Sequence, residues 1–273
     1  MVKVVPSASH RSGAGTPLLL LHGLTASWQV WQPVIPSLSQ RHDVLALTLP
    51  GHHGGPPLPA GTPATASALV DGVVRALDEL GIERAHVAGN SLGGRIALEL
   101  AKRDRALSVT AIAPAAWWPT ERDLRRVIRG LRAGVAAARC IAPVAGAAAA
   151  WPVLRRALGA RSMHHPELLS AADTAAILRA VRGCAVARGI LRSAPADGVI
   201  RGLDGIACPV RIAWPSDDRV LPFAIFGAGL AEQIPGASLV MLAGTGHVPM
   251  WDAPDLVAGT ILELTARADA RVA

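Results

Sequence analysis

Apolar residues in this chain gather into short unbroken runs, and each run is closed by glycine or proline. Leu18-Leu19-Leu20-Leu21 stops before His22-Gly23, and Val44-Leu45-Ala46-Leu47-Thr48-Leu49 stops at Pro50-Gly51. Ala85-His86-Val87-Ala88 ends at Gly89, Val109-Thr110-Ala111-Ile112-Ala113 at Pro114, Val210-Arg211-Ile212-Ala213-Trp214 at Pro215, and Leu239-Val240-Met241-Leu242-Ala243 at Gly244. A strand covered on both faces has no polar side, so it reads as a continuous apolar run rather than an alternation. Between these runs the period changes. Val70, Val73, Val74, Leu77 and Leu80 recur at helical spacing, as do Leu256, Ile261, Leu262 and Leu264 less regularly. Strand and helix in turn predict an α/β protein with a doubly wound, mostly parallel sheet. Such sheets bind ligands outside the carboxyl ends of their strands, which here are the Gly and Pro positions.

The alternation stops near Trp117 and resumes near Cys208. Within the gap, Leu124, Val127, Ile128 and Leu131 form one helical stripe, with Arg122, Arg125, Arg126, Arg129 and Arg132 around the remainder. Ile177, Leu178, Val181 and Cys184 suggest a second helix. The expected organisation is therefore a core built from 1–117 and 201–273, with 118–200 as a helical Arg- and Ala-rich insertion rather than a separate domain.

Charge sharpens that division. The 273 residues carry a net charge of +7. The segment 118–200 holds 13 arginines against 5 acidic residues, whereas the rest is balanced at 14 basic and 15 acidic. Nucleic-acid binding would place stacking aromatics beside such charge, but only Trp118 and Trp151 lie in the segment and no nucleic-acid motif is present, so that class is set aside. The apolar stretch from Ala133 to Leu154 is broken by Arg139, Pro143 and Pro152, so no transmembrane segment is expected. The N-terminus has no apolar signal core, and Cys140, Cys184 and Cys208 are too widely spaced for a disulfide framework or a metal motif. A cytoplasmic protein is the expectation. The pairs His52-His53 and His164-His165 have no further ligands at useful spacing, and no metal is expected there.

The strand ends also carry candidate chemistry. Gly89-Asn90-Ser91-Leu92-Gly93 matches G-x-S-x-G at a strand-to-helix junction, the context that motif requires. Ser91 is either a nucleophile or a helix N-cap, since serine suits both roles. A neutral serine needs a base. His247 stands in a glycine-rich loop after the last run, from which an imidazole reaches over the sheet. The base needs a carboxylate to fix its tautomer, and Asp217 and Asp218 lie just past the preceding run. His22 reads as a structural histidine that holds its loop by hydrogen bonds.

These motifs together resemble the α/β-hydrolase fold family, in its lidded, serine-nucleophile, esterase- and lipase-like group. His22-Gly23-Leu24-Thr25 resembles the family's HG-x loop, and Leu49-Pro50-Gly51-His52 its D-x-P-G-x-G loop, with Thr48 where an acid is common. Asp218-Arg219-Val220-Leu221-Pro222 resembles its D-x-x-x-P pattern, which favours Asp218 over Asp217 as the triad acid. Gly246-His247, followed by Trp251 and Pro254, resembles its histidine loop. The resemblance implies a helical lid inserted after the sixth strand, and an oxyanion hole made by the backbone N–H groups of Leu24 and Leu92. It also implies a catalytic set of Ser91, Asp218 and His247 with no cofactor.

Relatives with an aspartate nucleophile, the haloalkane dehalogenases and epoxide hydrolases, differ at the elbow, where Ser91 stands, and the chain has no tyrosine to activate an epoxide oxygen. Lys3 and Lys102, the only lysines, lie on no strand-end loop, which sets aside hydroxynitrile lyases. The leading expectation is hydrolysis of a carboxylic ester through an acyl-enzyme on a small-molecule substrate. The alternatives are C–C hydrolysis of a vinylogous diketone, which Gly-Asn-Ser-x-Gly-Gly resembles, and ligand binding or acyl transfer on the same scaffold. The basic segment either attracts anionic substrates or grazes an anionic membrane surface.

Overall fold

Every predicted apolar run lies in one sheet of a computed structural model that describes residues 8–144 and 150–271. The strands are β1 Ser9–Ser12, β2 Pro17–Leu21, β3 Asp43–Leu47, β4 Ala85–Asn90, β5 Ala106–Ile112, β6 Val210–Pro215 and β7 Ser238–Leu242. Their spatial order is β1-β3-β2-β4-β5-β6-β7. All neighbours run parallel except β1, which is antiparallel to β3.

Period two within β2 explains why its sequence is all leucine. Leu19 and Leu21 join one apolar cluster with Leu69, Val73, Leu77 and Ile96, whereas Leu18 and Leu20 join a second with Trp31, Val34, Val257 and Ile261. Successive side chains enter opposite faces, and both faces are covered. Helices α1 (Ala66–Glu79) and α2 (Leu92–Lys102) supply the first cover, and α7 (Pro254–Asp269) supplies much of the second. Thr65 starts α1 by accepting the Ala68 N–H on its side-chain oxygen at 3.2 Å.

β1 was not anticipated. Its sequence, SHRS, carries no apolar signal, and its edge position requires none. Arg11 grips Asp43 of β3 through one guanidinium edge, Nε and Nη2 donating to Oδ1 and Oδ2 at 2.9 and 2.6 Å.

Between β5 and β6 the chain forms α3 (Glu121–Ile141), α4 (Pro152–Gly159), α5 (Ala171–Gly183) and α6 (Ala187–Asp197). These helices follow the fifth of the strands among the described residues, only one of which, β1, precedes β2. The two ends of the insert meet, since the Ile200 N–H donates to Ala116 O at 2.9 Å. α3 buries only Leu124 and Ile128, which pack with Leu191 of α6 against Leu24 and Trp118; Arg122, Arg125, Arg126 and Arg129 are exposed, whereas Arg132 and Arg139 donate to Leu191 O and Cys184 O at 3.3 and 3.0 Å. No helix among the described residues is long and apolar enough to cross a membrane.

The topology fixes where a ligand belongs. From β2 the chain steps outward to β3, then returns past β2 to β4. Strand order therefore reverses between β2 and β4, and in sheets of this kind ligands bind beyond the carboxyl ends at such a point. The loop after β2 begins at His22-Gly23, and the turn after β4 holds Ser91.

Candidate active site

Ser91 occupies the N-cap position of α2 but makes no side-chain capping bond. Its backbone stands at φ 56°, ψ −114°, a conformation that L-residues rarely hold. Three bonds enforce it. The Ser91 N–H donates to Ile112 O at 2.9 Å, and Ser91 O accepts from the Arg95 and Ala115 N–H groups, both at 3.0 Å. The surrounding glycines are needed for close approach rather than for unusual dihedrals. A Cβ on Gly89 would lie 2.2 Å from Gly93 O, and one on Gly93 would lie 2.1 Å from Leu21 O. Of the four non-glycine residues with positive φ among the described residues, three, Thr25, Ser91 and Ala113, follow β2, β4 and β5; the fourth, Asp104, precedes β5. Most of this strain lies at these strand ends.

The acid and histidine loops meet beside this turn. Asp218 Oδ2 lies 2.7 Å from His247 Nδ1, and both residues are buried. Asp218 Oδ1 accepts the Val220 and Leu221 N–H groups at 2.8 and 2.7 Å. A carboxylate acceptor requires the proton on Nδ1, which leaves Nε2 of His247 as the basic nitrogen. Trp214 steadies the acid loop from beneath, since its indole N–H donates to Leu221 O at 2.9 Å. Asp217 turns away, with one oxygen 3.0 Å from the Ser216 hydroxyl and 3.2 Å from His164 Nδ1. Among the described residues no hydrogen bond joins the Ser91 hydroxyl to the imidazole; such bonds often close only when substrate is bound.

Asn90 joins the two halves. Its amide donates to His247 O at 2.9 Å and more weakly to Ile112 O at 3.4 Å. In the sequence this residue stands out only through the resemblance of Gly-Asn-Ser-x-Gly-Gly to the elbow of C–C hydrolases. Its bonds go to backbone carbonyls, which no side-chain pattern announces.

The loop after β2 is held by His22. The Leu49 N–H donates to Nε2 at 2.9 Å, so the ring proton sits on Nδ1 and is donated to Gly23 O at 2.7 Å. Complete burial, with His52 nearby, keeps the His22 pKa well below the usual imidazole range, so the ring is neutral. A Cβ on Gly23 would stand 3.2 Å from Ser91 Cβ, so this loop runs directly against the serine. Leu24, the next residue, carries one of the N–H groups in question. Leu92 carries the other, ahead of the first intrahelical bond of α2, which the Arg95 N–H makes.

A cavity of about 610 Å³ lies elsewhere, lined by Trp117, Ile200, Arg201, Asp204 and Glu232, and includes none of these residues.

Comparison with known proteins agrees with this architecture. Residues 18–260 match the alpha/beta hydrolase family. The chain belongs to that family. It is 35% identical over 203 residues to the epoxide hydrolase EphH of Mycobacterium tuberculosis, an alignment that covers 73% of this chain and 92% of that protein. Among solved structures, an esterase from Thermogutta terrifontis superposes with a TM-score of 0.68 at 21% identity, covering 96% of this chain and 93% of the other. A meta-cleavage product hydrolase from Pseudomonas fluorescens superposes with a TM-score of 0.71 at 20% identity, covering 95% and 94%. At such identities the likeness is one of fold.

Proposed function

We propose that the chain is a serine hydrolase of carboxylic esters. The observation that carries this reading is the buried Asp218–His247 pair beside a strained serine whose hydroxyl caps nothing. In the proposed cycle Ser91 Oγ attacks the ester carbonyl while His247 Nε2 takes its proton. Asp218 holds the imidazole and stabilises its cation. The Leu24 and Leu92 N–H groups receive the oxyanion, a contribution of ~10²–10³ in rate per donor in such sites. His247 then protonates the departing alcohol and deprotonates the water that releases the acid. No cofactor enters any step. Residues 118–200 act as the lid over this edge, supported by the packing of Leu124, Ile128 and Leu191 on Leu24.

The relative named as an epoxide hydrolase makes that activity a reading to weigh. Chemistry disfavours it here. A serine alkoxide that opened an epoxide would form an ether, with no carbonyl for water to attack. A carboxylate nucleophile would form a cleavable ester, but Ser91 holds the elbow, and the chain has no tyrosine to protonate the opening oxygen.

The test is mass spectrometry after a fluorophosphonate probe, with p-nitrophenyl esters of graded chain length assayed in parallel. A single adduct on Ser91, absent in Ser91→Ala, together with ester turnover, is expected. An adduct without ester turnover would move the substrate to a vinylogous diketone or another acyl acceptor. Turnover of an epoxide by the Ser91→Ala protein would overturn the reading.

A further inference from the structure

Three backbone N–H groups converge on one carboxylate next to the histidine loop. Asp252 Oδ2 accepts from Gly246 at 2.8 Å and from His164 at 2.9 Å, and Oδ1 accepts from His165 at 2.7 Å. Gly246 immediately precedes His247, whereas His164 and His165 belong to the insert, between α4 and α5. On the other side of His247, the Val248 N–H donates to Ser162 O at 2.8 Å. Between these bonds the two backbones touch. A Cβ on Gly246 would stand 2.6 Å from the carbonyl carbon of Met163. The same stretch of the insert also holds the acid loop, through Arg219 Nη1 to Ala160 O at 3.0 Å and His164 Nδ1 to Asp217 at 3.2 Å.

We propose that Asp252 is a positioning residue that fastens insert residues 162–165 to the loop carrying His247, so that the imidazole is aligned only while this stretch is seated. Charge-assisted bonds are the strong members of their class, and here one carboxylate gathers donors from two segments far apart in sequence. His247 is flanked by Gly246, which bonds to the same Asp252 carboxylate as the insert, and by Val248, which bonds to the insert itself, while Asn90 holds its own carbonyl. Movement of the insert that reaches residues 162–165 therefore also reaches the base. A misplacement of ~1 Å at a reacting group costs ~10²-fold in rate. For its kinetic consequence the proposal rests on the serine-hydrolase reading, but its structural content does not.

The experiment compares wild type, Asp252→Ala and Asp252→Glu as full chains. Hydrogen–deuterium exchange is read in peptides covering 158–168 and 243–250, alongside the rate of fluorophosphonate labelling and kcat and KM on a p-nitrophenyl ester. Asp252→Ala is expected to speed exchange in both peptides and to slow labelling and kcat by about 10- to 100-fold. KM should move less than about threefold, since substrate contacts are untouched. Asp252→Glu should restore part of both. Faster exchange in 158–168 alone overturns the proposal. So does faster exchange in both peptides with labelling and kcat unchanged, which would make Asp252 merely structural. If Asp252→Ala does not fold, Asp252→Asn, which keeps the volume, is read in the same way. A wild type that neither labels nor turns over esters defeats the hydrolase reading instead. The exchange data then decide the clamp alone: both peptides loosening together supports it, and either loosening alone overturns it.

Discussion

In β2 four successive leucines are each 1% exposed or less, and alternate ones pack into two different layers. In the insert, α4 buries no side chain and α3 buries two over 21 residues. On the proposed reading the two regions have different work to do. A strand end that is to carry a nucleophile must hold it to a fraction of an ångström, and packed, doubly covered strands provide that. The insert, with the single apolar stripe of Leu124 and Ile128, leaves most of its remaining surface to polar and charged residues. Where the insert meets the histidine loop the ties are hydrogen bonds, most of them to main-chain N–H groups, and not apolar contacts.

If this contrast is right, substitutions at the strand ends should abolish chemistry, and changes to the insert's surface should only tune it. Ser91→Ala should lower ester turnover by on the order of 10⁴- to 10⁶-fold and remove the phosphonate adduct. Asp218→Asn should lower kcat by about 10⁴-fold, since its amide favours the wrong tautomer of the base. Asp217→Asn, one residue away, should change kcat by less than about threefold, since its carboxylate pairs with Ser216 and His164 and not with His247. Steady-state kinetics on the pair would separate the two adjacent acids directly.

Stability offers a further test of the core. Burial holds the His52 pKa down to about 4, and His22 is displaced in the same direction. Between that value and the ordinary one near 6.5, the unfolded chain binds a proton that the folded chain refuses. Stability is therefore full above about 6.5 and falls as pH descends toward 4, by on the order of 3 kcal/mol for His52 alone. Thermal unfolding from pH 8 to 4 should show this slope, and His52→Gln should flatten it. The strained serine predicts a smaller difference. Ser91→Gly should be as inactive as Ser91→Ala but more stable by ~1 kcal/mol, because glycine accepts the positive φ.

The smallest effect belongs to the insert. Its surplus of arginine should raise kcat/KM for an anionic ester by a few-fold at low ionic strength, an advantage that added salt removes. A neutral ester of equal size should show no such dependence. Equal salt response for both would leave the arginines as a solvated surface.

What the sequence made legible follows the same division. Fully buried parallel strands announce themselves as apolar runs, and the glycines of the elbow are forced by contacts as close as Gly93 to Leu21 O. Ser91, Asp218 and His247 could be singled out because each is a reactive side chain at a strand end. β1 was missed because an edge strand needs no apolar face. α4 and α6 were missed because α4 buries nothing and Pro195 interrupts the pattern of α6. Asn90 and Asp252 went unread for a third reason, since their partners are main-chain groups, which look alike at every position. The one available signal for Asp252 was an acidic residue five places after His247, between the Trp251 and Pro254 that were noticed.

The hydrogen bond between Ile200 and Ala116 sets the terms on which this insert could be exchanged for another. A replacement needs ends one bond apart, a condition that a helical hairpin of almost any length can meet. It must also bring a short stretch of free main-chain donors to the place where His164 and His165 now stand. Grafting a foreign insert onto this core would then succeed or fail according to a few unpatterned loop residues, while its helices vary freely.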